Sequence, residues 1–157
     1  MPPARRRSAG LLLYRVRDGR LEILLGHMGG PFWAKKDEAA WSIFKGEYGP
    51  DEEPLAAAMR EFQEETGSPP PDGDPLPLGE VRQSGGKSVV AWAMPGDFDP
   101  AGLNSNTFTV EWPPRSGRHS EFPEVDRAEW FDPDTARRKL VRAQAAFVDA
   151  LERELAA

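Results

Sequence analysis

The chain of 157 residues has no cysteine, which excludes disulfides and thiolate metal sites and fits a reducing, cytoplasmic setting. It also lacks any apolar run that approaches the length of a membrane span. The stretch Ala9 to Tyr14 is too short even for a signal peptide, because Arg15 interrupts it. No membrane partner is therefore expected. A basic excess is missing as well: 20 Lys and Arg stand against 26 Asp and Glu, for a net charge of -6 and a pI near 5.0. That balance argues against a general nucleic-acid binder, whose footprint is a basic surface, yet it leaves room for an anionic substrate held through metal ions. Histidine is scarce, with only His27 and His119. His27 ends a predicted strand and reads as structural, whereas His119, in a polar loop, is placed to approach a leaving group.

What is present is enough chain for one domain spanning residues 1–157 with a single core. Residues 1–7 read as a flexible arm in which Arg5-Arg6-Arg7 is solvated, with contact to phosphate or a partner as the lesser alternative. Gly10 to Val16 and Leu21 to His27 are apolar, strand-like runs joined at Asp18-Gly19, a strong hairpin signal. The segment from Met28 to Asp37, rich in glycine, proline and lysine, predicts a loop. A short strand from Trp41 to Phe44 follows. Pro54 suits the first position of a helix running to about Thr66, Gly67 its left-handed terminator, and Pro69-Pro70-Pro71 forbids continuation. Leu76 to Gln83 and Lys87 to Met94 predict two strands around Gly85-Gly86, and Thr107 to Trp112 another. Pro113 to His119 is a loop by composition, and Val125 to Phe131 is again extended. After the cap signal Asp132-Pro133, apolar residues at helical spacing from Leu140 to Leu155 predict one long C-terminal helix. Two helices over a mixed, partly antiparallel sheet make an α/β fold.

The stretch that organises the chain is Gly46 to Ser68, GEYGPDEEPLAAAMREFQEETGS. On a helix advancing 100° per residue, Glu61, Glu64 and Glu65 lie within about 100° of one another. Leu55, Met59, Phe62 and Thr66 gather on the neighbouring arc. Like charges at these spacings destabilise an isolated helix by a few tenths of a kcal/mol per pair, so their density asks for a compensating cation. Hard oxygen ligands of this kind suit Mg²⁺ or Mn²⁺. Three glutamates on a helix, taken alone, are more often a solvated acidic face. The wider spacing of Gly46, Glu52, Arg60-Glu61, Phe62, Glu64-Glu65 and Gly67 reverses that preference, since seven specified identities at about 7% each arise by chance on the order of 10⁻⁸ per starting position.

This pattern resembles the Nudix box, G-x5-E-x7-R-E-U-x-E-E-x-G-U with U a bulky apolar residue, and departs from it only where Ser68 replaces an aliphatic. The resemblance implies an α/β/α sandwich and a metal-dependent hydrolase acting on phosphoanhydrides. It implies that Glu61, Glu64 and Glu65 hold the divalent ion, with a backbone carbonyl from the loop at Lys45 or Gly46. Arg60 then orients a box glutamate, and Glu52 supports the loop or a metal-associated water. The glutamate that accepts the water's proton varies in such enzymes. Glu61 or Glu64 is the leading assignment, with Glu111, Glu121 and Glu124 as candidates outside the box.

Lys45, immediately before Gly46, is positioned to meet substrate phosphate or else to neutralise the acidic helix. Phe32, Trp33 and Trp41 offer faces for a nucleobase, and Lys35, Lys36, Lys87, Arg115 and Arg118 reach for phosphate. Packing aromatics and solvated loop lysines are the plainer readings, and from this set Trp33, Lys87 and Arg115 are carried forward as substrate-binding residues. The runs His27 to Trp33, Trp41 to Glu47, Glu111 to Pro114 and Trp130-Phe131 are similar to a bacterial subgroup of predicted NTP pyrophosphohydrolases. The implied reaction is hydrolysis of a nucleoside triphosphate to monophosphate and pyrophosphate. Alternatives are a dinucleoside polyphosphate (Ap4A-like) or diphosphoinositol polyphosphate substrate, which Lys45 would favour, and a sensor that binds nucleotide without cleaving it. A small-molecule nucleotide or polyphosphate is the expected partner, and a homodimer is compatible with the chain.

Overall fold

Leu11-Leu12-Leu13 and Ile23-Leu24-Leu25 show no polar alternation, so strands built from them must be covered on both faces. A computed structural model, which describes residues 6–157, shows that they are. β1 (Arg7–Arg17) and β2 (Arg20–Met28) form an antiparallel hairpin. Its turn places Asp18 at φ 53° and Gly19 at φ 75°, the doubly left-handed geometry that matches the twist of flanking strands. Leu12, Ile23 and Leu25 pack with Phe147, Val148 and Leu151 on one face. Leu11, Leu13 and Leu24 pack with Ala57, Ala58 and Phe62 on the other. The result is a sheet between two helical layers, α1 (Pro54–Thr66) on one side and α2 (Pro133–Lys139) with α3 (Ala145–Ala156) on the other.

β5 (Leu76–Arg82) and β6 (Ser88–Pro95) extend the sheet, with β6 parallel to β1. β9 (Val125–Phe131) pairs with the far edge of β2. β3 (Trp41–Ser42) and β4 (Phe44–Glu47) occupy the fork between β1 and β2, β4 against Ser8 to Leu11 and β3 against Gly26-His27. The fork closes tightly at two glycines: a Cβ on Gly10 would stand 2.7 Å from that of Lys45, and one on Gly26 2.9 Å from the Phe44 ring.

Four features differ from the sequence-based expectations. Arg7 opens β1, and the Arg6 carbonyl accepts from Ser88 N–H at 3.0 Å, so these two residues are held by the sheet, while Arg5 lies outside the described residues. Lys45 and Gly46 lie in β4 rather than in a loop, because β1 offers them an antiparallel partner. Thr107 to Glu111 forms β7, but it pairs with an unanticipated β8 (His119–Pro123) as a separate ribbon. The C-terminal helix is divided: Leu140 and Val141 are extended, and the Val141 N–H bonds to the Trp41 carbonyl at 2.9 Å. Among the described residues, no helix is long and apolar enough to cross a membrane.

Candidate active site

Helix α1 begins with Pro54, where a missing N–H costs nothing, and ends at Gly67, whose φ of 80° lets its N–H return to the Gln63 carbonyl at 2.8 Å. Two further carbonyls of the last turn, those of Thr66 and Glu64, accept from Asn104 and Asn106 N–H, each at 2.9 Å. The segment 103–106 therefore closes the helix end. It approaches so closely that a Cβ on Gly67 would lie 2.7 Å from Asn104. The same segment fixes the start of β9, since Glu124 N–H bonds to the Asn106 carbonyl at 2.9 Å and Val125 N–H to Ser105 Oγ at 3.0 Å. The end of the acidic helix and Glu124 are thus held by one short piece of chain.

Ala57, Ala58, Phe62 and Thr66 are the buried face of α1, with Phe62 edge-on to Phe44 at 5.6 Å between ring centres. The two alanines, absent from the apolar set predicted by periodicity, let the helix sit close to the sheet. Glu61 is carried inward with them, to 9% exposure. Its carboxyl lies over Gly46, where a Cβ would come within 2.0 Å of Glu61 Cδ. Glu64 stays exposed, and Glu65 is half-buried, accepting from the Lys45 backbone N–H at 3.0 Å.

Arg60 ties the acids together. It holds Glu52 through two bonds, of 2.9 and 3.0 Å, and its Nη1 donates to Glu61 at 2.8 Å and to Glu64 at 3.3 Å. The fork geometry makes this a task for arginine rather than lysine. The guanidinium is correspondingly pushed toward its charged form, chiefly by Glu52. Burial pushes the Glu65 carboxyl up to about 8, against the opposing effects of the Lys45 charge and N–H. Burial also raises Glu61, reinforced by the Glu64 charge and opposed by Arg60. Glu124 is raised by burial and partly offset by Lys45. Lys45 therefore acts on carboxylates from both sides of the site.

These groups line one cleft of about 1100 Å³. Glu61, Glu64, Glu65, Gly46 and Lys45 line it, together with Trp33, Lys87 and Glu124. Three predicted groups lie elsewhere. Arg115 sits in the turn between β7 and β8, its N–H bonded to Glu111 at 2.6 Å, and is not among the cleft residues. Glu111 and His119 face each other across that ribbon, and Glu121 accepts from Thr107 at 2.9 Å. Trp41 is buried, with its indole N–H on Asp37 at 3.0 Å, and Phe32 stacks edge-on against Trp112. Trp33 has Lys36 above its ring at 5.1 Å, so one face is already covered. Arg6, Gln83, Ser84, Arg142 and Gln144 also line the cleft, and no local motif marks them, because the topology alone brings them there.

The donor chemistry fits a hard divalent cation: three carboxylates, two of them held toward the neutral form by burial, need added positive charge to ionise together. Among the described residues, no three acidic or histidine side chains converge on a common point. Arg60 spans Glu61 and Glu64, while Glu65 is bonded to Lys45. A metal at this site would therefore share or replace the charge that Arg60 now supplies.

The model for the NUDIX domain matches residues 4–151. Solved structures agree in fold across nearly the whole chain. A Caenorhabditis elegans Ap4A hydrolase in a binary complex is 21% identical, with 95% of this chain and 98% of that one covered and a TM-score of 0.68. The NUDIX domain of Shewanella oneidensis NrtR complexed with ADP ribose is 16% identical, with coverage of 98% and 90% and a TM-score of 0.64. The Escherichia coli ORF135 protein is 21% identical, with coverage of 98% and 96% and a TM-score of 0.61. No curated protein matches the chain.

Proposed function

This chain belongs to the Nudix family of hydrolases, and from that premise we propose that it cleaves a phosphoanhydride in a nucleoside diphosphate-linked compound, with a nucleoside triphosphate as the leading substrate. Water attacks phosphorus, the anhydride P–O bond breaks, and monophosphate and pyrophosphate leave. The observation that carries this reading is Lys45: its backbone N–H holds Glu65, its charge acts on both Glu65 and Glu124, and it lines the cleft beside all three helix acids.

Glu61, Glu64, Glu65 and the Gly46 carbonyl would hold Mg²⁺ or Mn²⁺, which supplies neutralisation of phosphate charge and acidification of water when bound. Arg60 keeps Glu61 and Glu52 in place. The Lys45 ammonium orients the phosphate chain and screens it from the surrounding carboxylates. For the proton-accepting group, Glu61 and Glu64 are joined by Glu124, the one candidate outside the box that lines the cleft. Its carboxyl, raised by burial, is closer to the range in which a base works near neutral pH.

A second reading is a longer polyphosphate, such as a dinucleoside polyphosphate or a diphosphoinositol phosphate. The cleft favours it by offering Arg6, Lys45, Lys87 and Arg142 against a single aromatic, Trp33; the Ap4A hydrolase neighbour is consistent with it. The deciding experiment is a panel of NTPs, Ap4A, ADP-ribose and diphosphoinositol phosphates assayed with Mg²⁺ for released products. Turnover of at least one member is expected, falling by at least about 10²-fold in Glu61→Gln and Glu65→Gln with the fold intact. Tight nucleotide binding without turnover of any member would instead make the protein a sensor.

A further inference from the structure

The cleft is also lined by residues outside α1 and β4 to which the proposed chemistry at the scissile anhydride gives no role. Among them are residues of the β5–β6 turn and of the break between α2 and α3, two segments about 60 residues apart in sequence, and one buried side chain joins them. Gln144 is fully buried. Its Oε1 accepts from the Ile43 N–H at 2.9 Å, and its Nε2 donates to Gln83 Oε1 at 2.9 Å and to Ser42 Oγ at 3.0 Å. Gln83 N–H in turn bonds to the Lys87 carbonyl at 2.7 Å, closing the turn that contains Ser84, Gly85 and Gly86. Gly85 and Gly86 have φ of 83° and 79°, a conformation that side chains disfavour, so this tight turn depends on glycine. Next to it, Ser88 N–H bonds to the Arg6 carbonyl at 3.0 Å. On the other side, Gln144 N–H bonds to the Val141 carbonyl at 2.9 Å and ends the short turn that carries Arg142.

The consequence is that exposed Lys87 and Arg142, with the Ser84 hydroxyl, are presented to the cleft from braced segments rather than from free loops. Among the described residues, neither Lys87 nor Arg142 has a carboxylate within ion-pair distance, whereas Arg60 on α1 has three. A lining with uncompensated cations and a hydroxyl fits a phosphate group. The acids of α1 repel the same group unless a metal covers them, so the two sets of cleft residues have different tasks.

We propose that Ser84, Lys87 and Arg142, positioned by Gln144, form a second phosphate subsite that takes the distal end of the substrate's phosphate chain. The inference rests on the proposed hydrolase reading for the identity of the first subsite. It makes the protein selective for substrates carrying charge beyond the scissile anhydride, so that a chain of three or more phosphates is held at both ends.

The test is binding of inorganic phosphates to the full chain with Mg²⁺ by calorimetry, which does not depend on finding the substrate. Tripolyphosphate and pyrophosphate are titrated into the native protein, Lys87→Gln, Arg142→Gln and the double variant, whose exposed positions leave folding unaffected. The expected result is a preference of native protein for tripolyphosphate, at least about 10-fold weakened in the double variant, with pyrophosphate affinity changed less than threefold. Gln144→Leu should weaken tripolyphosphate similarly, and Gln144→Met, which keeps the side chain's length but can neither accept from Ile43 nor donate to Gln83, should do so while remaining folded by circular dichroism. Equal loss for both ligands, or none for either, would overturn the subsite. If tripolyphosphate selectivity is present and responds to these variants but no panel member is hydrolysed, the subsite stands and the hydrolase reading falls.

Discussion

Glu65 is an acid whose ionisation the fold opposes, and the sign of that opposition can be measured. Its carboxyl rises from about 4.3 in an unfolded chain to about 8 in the folded one. Without metal, its contribution to stability is fully present below about pH 4.3 and is lost as pH climbs through 8, because the folded state binds the proton more tightly. Glu65→Gln removes the penalty and, in metal-free buffer at pH 8.5, should raise Tm by at least several degrees. At pH 4, below both values, the two proteins should melt together. Mg²⁺ should stabilise the native protein more at pH 8.5 than at pH 6, as it competes with a proton only at the lower pH, and should do nothing of the kind for Glu65→Gln. A thermal melt across that pH range, with and without Mg²⁺, checks all three. At this scale the helix acids were legible because their intervals are fixed by sequence. Glu124 was not separable from Glu111 and Glu121, because only the contacts of Asn106 and Ser105 bring it to the cleft. Arg115 shows the converse: a basic residue in a polar loop looks available, but its ribbon points it elsewhere.

At the scale of elements, the site is the contact between β4 and α1, and Gly46 sets their separation. A Cβ there would fall within 2.0 to 2.4 Å of the Glu61 carboxyl atoms, its three nearest neighbours. The clash is relieved by rotation of the Glu61 side chain, since the atoms met are its far end. Gly46→Ala is therefore expected to keep its Tm within a few degrees, to lose at least about 10-fold in Mg²⁺ affinity as ligands are displaced, and to lose turnover with it. A metal titration followed by thermal shift measures both. Helix α1 was fully legible, Pro54 to Thr66 with Gly67 behind it, since propensity, capping and turn residues agree there. The C-terminal helices were not. Leu140, Phe147, Val148 and Leu151 all face the same sheet layer, so the apolar pattern runs on through the break. What interrupts it is backbone pairing with Trp41 and the bonds of Gln144 to Ile43 and Gln83, partners at distances no local pattern encodes. β8 escaped notice for a related reason: its ribbon with β7 covers no large core, and His-Ser-Glu-Phe-Pro carries little strand signal.

For the whole molecule, the sheet divides the core into two bodies with different consequences for function. Phe62 and Leu151 are both fully buried, Phe62 on the face that carries the box helix and Leu151 on the face that carries α3. Truncating either to alanine removes comparable packing, about 3–5 kcal/mol for phenylalanine and 2–5 kcal/mol for leucine. Stability therefore cannot tell the faces apart, but the site can. Phe62 adjoins Glu61, stacks on Phe44 next to Lys45, and sets how α1 rests on β4. Loss of its ring lets the helix shift relative to the strand, and a displacement of about 1 Å is enough to cost on the order of 10²-fold in a positioned reaction. Leu151 has the sheet between it and the acids. Assayed well below the lowered Tm, Leu151→Ala should retain Mg²⁺ affinity and turnover within about threefold of native, while Phe62→Ala loses both by at least about 10-fold at matched fraction folded. Equal losses of activity in the two variants would mean that the layers move as one body and that the box helix is not the separately tuned unit its contacts describe.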